Sequence, residues 1–376
     1  MKELYIIDSS YNPIAASNNR LFAYADFFTR HGVNVSFFYL FPYGDHIKCE
    51  QYRDKFNFVY LWEDSPFRNK YLTTLRSVFK MRKLLRPDVP VYIYGMLNCV
   101  PFLVKKGIRI YHEYTENPEV VGVIPNLIGR FLNRLYKQSL KSVSRLFVIT
   151  DILRNYYIKT YGVDPHRIEV VNMMVDQHRF DDYEDVRPAQ VISYCGTVSE
   201  FKDGVSCLVM AFAKLNIKHS GYRLRIIGNF ENAETEIKLK SLVNELNIEQ
   251  QVDFTGSVMA SKMPLLLRSS SILALARPDN IQSKYGFATK IGEYLVSERP
   301  VVLTKVGAVE EFLTDGVDCI LAQPDSVDSF AEKLSWVIDN PEKAASIGRE
   351  GKQTALRCFN AKTESEKVYK RIAGEI

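Results

Sequence analysis

Three basic side chains in the second half of the sequence have the types and the spacing to bind a phosphorylated ligand. Lys202 lies between two glycines in the segment GTVSEFKDGV, which leads from an apolar run into a helical pattern. Arg277 and Lys284 lie in the segment ARPDNIQSKYGFATK, which has the same context. Such turns favour an anion, because free N–H groups and the helix dipole add to the positive charge of the side chains. We expect the three cations to neutralise a diphosphate.

Ordinary structural explanations exist for these features as well. A glycine-bounded loop with one lysine is usually only a turn, and the Walker sequence GxxxxGK[ST] does not occur in the chain. Glu293, one turn inside the next predicted helix, is placed to accept hydrogen bonds from a ribose. An exposed glutamate at that position can equally well offset the helix dipole.

A second group of chemically competent residues lies in the first half. His112 and Glu113 are crowded in the segment HEYTENPE, at the carboxyl end of the predicted strand Arg109–His112. An imidazole beside carboxylates predicts contacts to sugar hydroxyls or a general base, and a structural histidine at a strand end is the alternative. The loop Ser9–Asn19, which includes Asn18, has small and amide side chains that would let its backbone approach a ligand.

The elements that position these residues are short apolar runs that alternate with amphipathic helical stretches. The runs are continuous, which is typical of parallel strands buried on both faces, and helices between such strands form right-handed βαβ units. Thirteen strands are too many for one ordinary open sheet. The predicted strands are 4–8, 33–40, 58–62, 91–94, 109–112, 145–149, 168–171, 191–195, 223–227, 252–255, 272–276, 301–303 and 319–322.

The length of 376 residues suits two domains, and the acidic segment 176–188, which is poor in strands, is the natural boundary. We predict an α/β protein of two doubly wound, Rossmann-like domains that face each other across a cleft. The first comprises residues 1–175 and the second residues 189–358, with 176–188 as the linker. Residues 359–376 are predicted to form a C-terminal helix that could pack back on the first domain. Ligands of such sheets bind beyond the carboxyl ends of the strands.

Composition excludes several classes of protein. Apolar residues make up 46% and charged residues 25% of the chain, a balance that excludes a largely disordered protein. No apolar run reaches the roughly 20 residues of a membrane span, and the start MKELYIID lacks the apolar core of a signal peptide. The six cysteines form no CxxC pair, which argues against a zinc site or a disulfide framework. We therefore expect a cytoplasmic protein.

The net charge of +5 is unevenly distributed. Residues 66–145 carry 15 lysines and arginines against four acids, a local charge of +11. Much of it falls in two predicted helical stretches, 71–86 and 130–145, whose basic residues share a face. A solvated helix face is the ordinary explanation. The more specific explanation is docking on an anionic membrane surface, at the inner face of the cytoplasmic membrane. Binding to nucleic acid is disfavoured because no recognised nucleic-acid-binding module accompanies the basic residues.

The order of the motifs in the second half resembles the donor-binding domain of the retaining glycosyltransferases of family 4, which have the GT-B fold. The similar region runs from about residue 170 to residue 356, and the first half resembles the family only loosely. The segments that carry the resemblance are VVNMMVDQHRF, SYCGTVSEFKDGV, YRLRIIGN, VDFTGSV, GFATKIGEYLVSERPVVLT and VGAVEEFLTDGVDCIL.

This resemblance implies a retaining hexosyltransferase. Such an enzyme moves a sugar from a UDP- or GDP-sugar to a hydroxyl of a saccharide acceptor. The capsule or surface-polysaccharide type implies a bacterial enzyme with a lipid-linked acceptor. Because the loops named above lack the clustered acids that bind Mg²⁺, no metal and no other cofactor is expected.

The same resemblance assigns roles to individual residues. Lys202 matches the diphosphate-binding lysine, Glu293 the second acid of the E-x7-E motif, expected on the ribose, and His112 a histidine that touches the donor sugar. These three are the predicted catalytic residues. The backbone around 256–258 would hold the base, and the loop 284–289 would surround the phosphates and the sugar. The predicted substrate-binding residues are Arg277, Lys284, Tyr285, Gly286, Phe287, Ala288, Thr289, Gly196, Thr197, Gly256, Asn229, Glu113 and Asn18.

Two positions depart from the family pattern. Tyr285 stands where the first acid of E-x7-E falls, so a carboxylate for the hydroxyls of the donor sugar is missing. Thr197 stands where an arginine is frequent, and Arg277 and Lys284 are expected to supply the lost charge. Two alternatives stay open: a nucleotide-sugar epimerase of the same fold, and a catalytically silent GT-B scaffold protein.

Overall fold

The computed structural model describes residues 1–12, 16–42, 47–66, 69–121, 127–183 and 185–374, which form two compact units. Unit 1 comprises Met1–Asn172 and Ala361–Ile376, and unit 2 comprises Met173–Asn360. The segment 173–188, predicted from the sequence as a domain end and a linker, is therefore part of unit 2. A 3₁₀ segment, Gln177–Tyr183, holds it there through a bond of Arg179 to Glu293.

Unit 1 is built around a parallel seven-stranded sheet in the order β3-β2-β1-β4-β5-β6-β7. Its strands are β1 (Glu3–Asp8), β2 (Asn34–Tyr39), β3 (Asn57–Tyr60), β4 (Val91–Tyr94), β5 (Ile110–Glu113), β6 (Arg145–Val148) and β7 (Ile168–Val170). Its helices are α1 (Ala16–Arg30), α2 (Lys70–Leu84), α3 (Val100–Leu103), α4 (Pro118–Val121), α5 (Leu127–Ser139) and α6 (Asp151–Tyr156).

Unit 2 is built around a parallel six-stranded sheet in the order β10-β9-β8-β11-β12-β13. Its strands are β8 (Ala189–Cys195), β9 (Arg223–Ile227), β10 (Val252–Gly256), β11 (Ser270–Leu275), β12 (Val301–Thr304) and β13 (Ile320–Ala322). Its helices are α7 (Glu200–Asp203), α8 (Val205–Lys218), α9 (Ala233–Glu245), α10 (Met263–Arg268), α11 (Ile281–Tyr285), α12 (Lys290–Val296), α13 (Val309–Phe312), α14 (Val327–Asp339) and α15 (Pro341–Cys358). The last helix, α16 (Ala361–Ala373), belongs to unit 1.

The helices of unit 1 lie on both faces of its sheet. The helix α1 packs against α16, whereas α2 packs against α3 and α3 against α5. In the sheet, β2 and β3 lie on one side of β1, and β4, β5, β6 and β7 lie in this order on the other side. Because βαβ crossovers are right-handed, α2, α3 and α5 lie on the face opposite to α1.

All thirteen predicted strands are present in the described part of the chain, with ends that differ by at most two residues. The continuous apolar runs identified them because strands covered on both faces have no polar side. The predicted helical stretch 130–145 is corrected: α5 ends at Ser139, a 3₁₀ turn covers Leu140–Ser142, and Arg145 lies in β6. Among the helices of the described residues, none combines the length and the apolar character needed to cross a bilayer.

Candidate functional site

The loops after β8 and β11 lie where the sheet of unit 2 reverses its strand order. From β8 the chain continues to β9 and β10 on one side, and then to β11 on the other side of β8. Open α/β sheets bind ligands beyond the carboxyl ends of the strands at such a point. Lys202 follows β8 and Arg277 follows β11, so the structure brings these two predicted cations to the same end of the sheet.

The loop after β8 contains the one-turn helix α7, which positions Lys202. The Ser199 hydroxyl caps this turn by accepting a hydrogen bond from the backbone N–H of Lys202 at 3.2 Å. Gly204, with a φ of 60°, ends α7 and starts α8. Lys202 is exposed on this short capped turn.

A buried carboxylate organises the cations, and its partner Lys290 is missing from the residues predicted from the sequence. Asp203 forms an ion pair with Lys290, the first residue of α12, and accepts a hydrogen bond from the Tyr194 hydroxyl at 2.6 Å. The Nε of Arg277 lies 4.0 Å from Oδ1 of Asp203 and donates to the backbone oxygen of Lys202 at 3.1 Å. We call Lys202, Arg277 and Lys290 around Asp203 the cation cluster.

The charges of the cation cluster follow from burial and proximity. Burial raises the pKa of the Asp203 carboxyl, but Lys290 and Tyr194 outweigh burial and bring this pKa below its ordinary value. Burial lowers the pKa of the Lys290 ammonium, Asp203 opposes this effect, and the nearby charge of Lys202 adds to the lowering. Lys290 and Arg277 flank the Asp203 carboxylate and Lys202 lies near Lys290, so the cation cluster keeps a net positive charge for an anionic ligand.

Two glycines leave bare backbone beside the cation cluster. Gly196 and Gly228 follow the adjacent strands β8 and β9, with φ values of 148° and 137°. A Cβ atom on Gly228 would collide with the carbonyl oxygen of Gly196, and a Cβ atom on Gly196 would collide with Nζ of Lys290. The positive φ values favour glycine at both positions, and at Gly228 the neighbouring backbone adds a steric reason.

An open cavity of about 620 Å³ begins at Gly228 and extends along the ends of β9 and β10. Its volume lies in the range of small-molecule sites, roughly 300–1,000 Å³. The rings of Phe230 and Phe254, with centroids 5.3 Å apart, form part of its lining. Asn229 and Gly256, both predicted to bind substrate, also line it.

Glu293 is held by Arg179, a residue that no motif in the sequence identifies. Glu293 lies on α12, and its Oε1 forms an ion pair with Arg179. The same guanidinium donates from Nη2 to the backbone oxygen of Ala260 at 3.0 Å. Arg179 thereby ties α12 to the segment that follows β10, close to the cavity.

The predicted loop 284–289 is partly helical. Lys284 and Tyr285 lie in α11, which Asn280 caps, and Nζ of Lys284 is 5.8 Å from the ring centroid of Tyr285. Phe287 and Ala288 are buried, so they support the segment from inside unit 2. The other predicted residues of this site lie closer to the surface, namely Gly286, Thr289 and Thr197.

Two family models match the chain over most of its length. The model described as "Glycosyl transferases group 1" matches residues 187–354, and "Glycosyltransferase Family 4" matches residues 18–179. The chain belongs to this family of glycosyltransferases. Both of its units have the Rossmann-like topology of the GT-B fold.

Individual relatives of the glycosyltransferase are distant. The MMP alpha-(1->4)-mannosyltransferase of Mycolicibacterium hassiacum is 24% identical over 229 residues, which are 60% of this chain and 53% of that protein. The chain thus spans about half the length of this curated relative.

Solved structures of similar fold cover the whole chain. The sucrose-phosphate synthase from Thermosynechococcus elongatus has a TM-score of 0.81 at 13% identity, with 100% of both chains covered. Anabaena Alr3699/HepE in complex with UDP has a TM-score of 0.76 at 17% identity, also with 100% of both chains covered. At these identities the likeness shows the fold.

In the first unit of the glycosyltransferase, His112 is buried within β5. Its Nδ1 lies 3.1 Å from the carbonyl oxygen of Ile93 and its Nε2 lies 3.0 Å from the Tyr136 hydroxyl. A carbonyl can only accept, so Nδ1 carries the hydrogen, and Nε2 of the neutral ring accepts from Tyr136. Burial lowers the pKa of His112 to about 4, so the ring is neutral at pH 7.

Glu113 lies on the opposite face of the sheet from His112, which corrects the predicted grouping of the two. Successive strand residues point to opposite faces, and Glu113 is the last residue of β5. It is buried and receives hydrogen bonds from Nε of Arg20 and from the Tyr92 hydroxyl, both at 2.5 Å. Arg20 also donates to the backbone oxygen of Val171 at 2.7 Å.

Asn18 lies in the first turn of α1 and is buried. Its side-chain amide donates to the backbone oxygen of Asn12, which links the first turn of α1 to the residues after β1, and residues 16–19 of the predicted loop are helical. Residues 13–15 of this predicted loop lie outside the described residues.

Proposed function

We propose that this glycosyltransferase moves a hexosyl group from a nucleoside diphosphate sugar, with UDP or GDP as the carrier, to a hydroxyl of a saccharide acceptor. The observation that carries the proposal is the continuity of the cavity, the bare backbone of Gly228 and Gly196, and the cation cluster. A nucleoside diphosphate has its base, ribose and diphosphate in the same order.

The cavity suits the base of the donor. Phe230 and Phe254 offer ring surface, and the Asn229 amide and the backbone at Gly256 offer hydrogen-bonding groups. Arg179 holds Oε1 of Glu293, and we assign the ribose hydroxyls to Oε2. The UDP complex of HepE, a protein of the same fold, supports a nucleotide as the ligand.

The cation cluster suits the leaving diphosphate. Asp203 holds Lys290 and Arg277 in place before the ligand arrives, and preorganised charge stabilises a leaving group at little cost in reorganisation. Lys284, exposed on α11, extends the positive surface toward the sugar. The proposed transfer therefore takes its positive charge from side chains and uses no metal ion.

We propose a lipid-linked saccharide as the acceptor, with transfer at the inner face of the cytoplasmic membrane during synthesis of a surface polysaccharide. The basic residues of α2 and α5 support a membrane-facing location. The mannosyltransferase relative supports transfer of a hexose. Retention follows from the resemblance to the retaining enzymes, and the anomeric configuration of the product, read by NMR, tests it.

Calorimetric titration of UDP, GDP and their sugars into the protein and its Lys202→Met variant tests the donor site. We expect one nucleotide to bind and the variant to bind it at least tenfold more weakly, since about 1.4 kcal/mol corresponds to a factor of ten. The matched control is Lys214→Met, a surface lysine of α8 paired with Asp328, which should bind as the unmodified protein does.

Two outcomes would replace the proposal by its alternatives. Quantitative epimerisation of a labelled sugar nucleotide without acceptor would establish the epimerase. Unchanged nucleotide binding and unchanged polymer synthesis in cells that carry Lys202→Ala would establish the scaffold protein.

A further inference from the structure

The outward face of α2 carries apolar side chains. Four of them, at positions 71, 72, 75 and 79, share the exposed side of the helix and are at least 46% exposed. The inward face of the same helix includes Thr73 and Ser77, which are buried, and the Ser77 hydroxyl has no hydrogen-bond partner among the described residues. We call the exposed set the apolar stripe, and its members are Tyr71, Leu72, Leu75 and Phe79.

The apolar stripe continues into basic residues on the same side of the helix. Arg82 and Lys83 follow it by one turn and are exposed, and Arg82 donates to the backbone oxygen of Phe102 at 2.9 Å, which fixes it between α2 and α3. Lys80 is already paired with Asp64, so we leave it out of the surface. The exposed side of α2 thus has an apolar part and a basic part, as in helices that lie in a membrane interface.

The neighbouring helices present the same chemistry on the same face of unit 1. Phe131 on α5 is 59% exposed, and Arg130 and Arg134 beside it are exposed. Lys105 and Lys106, directly after α3, are exposed as well. Because α2, α3 and α5 cover one face of the sheet, these side chains belong to one surface of the unit.

We propose that the α2–α3–α5 face of unit 1 docks on a lipid bilayer with anionic headgroups. The apolar stripe and Phe131 enter the interface, and the basic residues contact the headgroup phosphates. Charge complementarity selects this occupant, since a symmetric contact with a second copy would bring the basic residues against themselves. The proposal deepens the proposed function and rests on it, because a lipid-linked acceptor is presented at such a surface.

Co-sedimentation of the protein with vesicles tests the docking. The vesicles are phosphatidylcholine alone, or phosphatidylcholine with phosphatidylglycerol. We expect the protein to sediment with the anionic vesicles only. The double variant Leu75→Ser/Phe79→Ser should bind them at least tenfold more weakly at every salt concentration, and Lys83→Glu/Arg134→Glu should lose its binding at low salt.

The matched control is Ile217→Ser/Ile237→Ser, which removes two exposed isoleucines from unit 2 and should sediment as the unmodified protein does. Vesicle binding by Leu75→Ser/Phe79→Ser at the unmodified level would overturn the proposal. A dimer of the unmodified protein in light scattering that this variant dissociates would also overturn it, in favour of an interface between copies.

Nucleotide titration of the same samples separates the two proposals. A protein that binds nucleotide but no vesicle refutes the docking and leaves the donor site in place. A protein that binds anionic vesicles but no nucleotide refutes the donor site and supports the docking. Retained nucleotide binding by Leu75→Ser/Phe79→Ser shows that this variant is folded, so its loss of vesicle binding supports the docking.

Discussion

In the candidate donor site, Lys290 places a positive charge next to the backbone of Gly196. Its ammonium contacts Asp203 and lies beside Gly196, whereas Lys202 is exposed on the rim of the same cluster. The two lysines therefore differ in what their loss would do. Removing Lys290 leaves a buried carboxylate short of a cation, whereas removing Lys202 takes away an exposed charge.

We predict that Lys290→Met destabilises the protein by about 3–5 kcal/mol, the usual effect of breaking a buried ion pair on one side. Lys202→Met should change the free energy of unfolding by less than about 0.5 kcal/mol, because it is a surface substitution. Urea unfolding measures both. The double variant Lys290→Met/Asp203→Asn should recover much of the lost stability, and a double variant as unstable as Lys290→Met would contradict the assigned pair.

His112 should make the protein sensitive to acid. Its pKa is lowered from 6.5 to about 4 by burial, so between these values the unfolded chain binds a proton that the folded protein excludes. Its contribution to stability is therefore complete above pH 6.5 and is lost as the pH falls toward 4, by about 3 kcal/mol in total.

The difference in unfolding free energy between the unmodified protein and His112→Gln measures this effect. It should shrink by about 3 kcal/mol between pH 7 and pH 4. The control is His166→Gln, which removes an exposed histidine and leaves the buried ring of His112 in place. A pH-independent difference for His112→Gln, together with a large loss of transfer activity at full stability, would instead support the predicted contact of His112 with the donor sugar.

At the scale of the elements, the ends of adjacent strands define the site in unit 2. The carboxyl ends of β8 and β9 approach so closely that a Cβ atom on Gly228, which follows β9, would collide with the carbonyl oxygen of Gly196, which follows β8. We predict that Gly228→Ala destabilises the protein by about 2–4 kcal/mol. Two effects contribute, namely overpacking against Gly196 and the strain of a positive φ. The substitution should also weaken nucleotide binding, since it pushes the loop toward the cation cluster.

Gly316→Ala is the matched control for this substitution. Gly316 has a φ of 75°, but no atom lies within 4 Å of a Cβ atom placed there. Only the conformational strain of about 1 kcal/mol should appear in urea unfolding, with unchanged nucleotide binding. Equal losses of stability in the two variants would show that the close approach of β8 and β9 has no energetic role.

At the scale of the whole molecule, the chain passes from unit 1 to unit 2 after Asn172 and returns after Asn360. The returning helix α16 packs against α1 and buries Ile372 in unit 1. The two tryptophans of the chain report on separate units, because Trp62 lies in unit 1 and Trp336 in unit 2.

We predict that Ile372→Ala lowers the stability of unit 1 by about 2–5 kcal/mol, the usual cost of such a core truncation. Urea unfolding followed by Trp62 fluorescence, in a Trp336→Phe background, should show this shift, although Ile372 is close to the C-terminus. The reciprocal control is Ile347→Ala, a buried position of α15 in unit 2, which should move the Trp336 transition instead when it is followed in a Trp62→Phe background. Equal shifts of both transitions after either substitution would contradict separate units.

Local pattern in the sequence determined the secondary structure and part of the site. Continuous apolar runs marked the strands, because strands covered on both faces carry no polar side. The position of Lys202 and Arg277 at one end of one sheet also followed, since the carboxyl ends of parallel strands meet at the same edge.

Only the tertiary structure decided the partners of the buried charges. Three ion pairs join residues that are far apart in the sequence. Lys290 and Asp203 are separated by 87 residues, Glu113 and Arg20 by 93 residues, and Glu293 and Arg179 by 114 residues. The tertiary structure also decided that His112 and Glu113 face opposite sides of β5. Such pairs depend on strand order and on the direction in which short capped turns leave the sheet. No periodicity within a local stretch of residues encodes either, so these partners arise only when distant segments pack together.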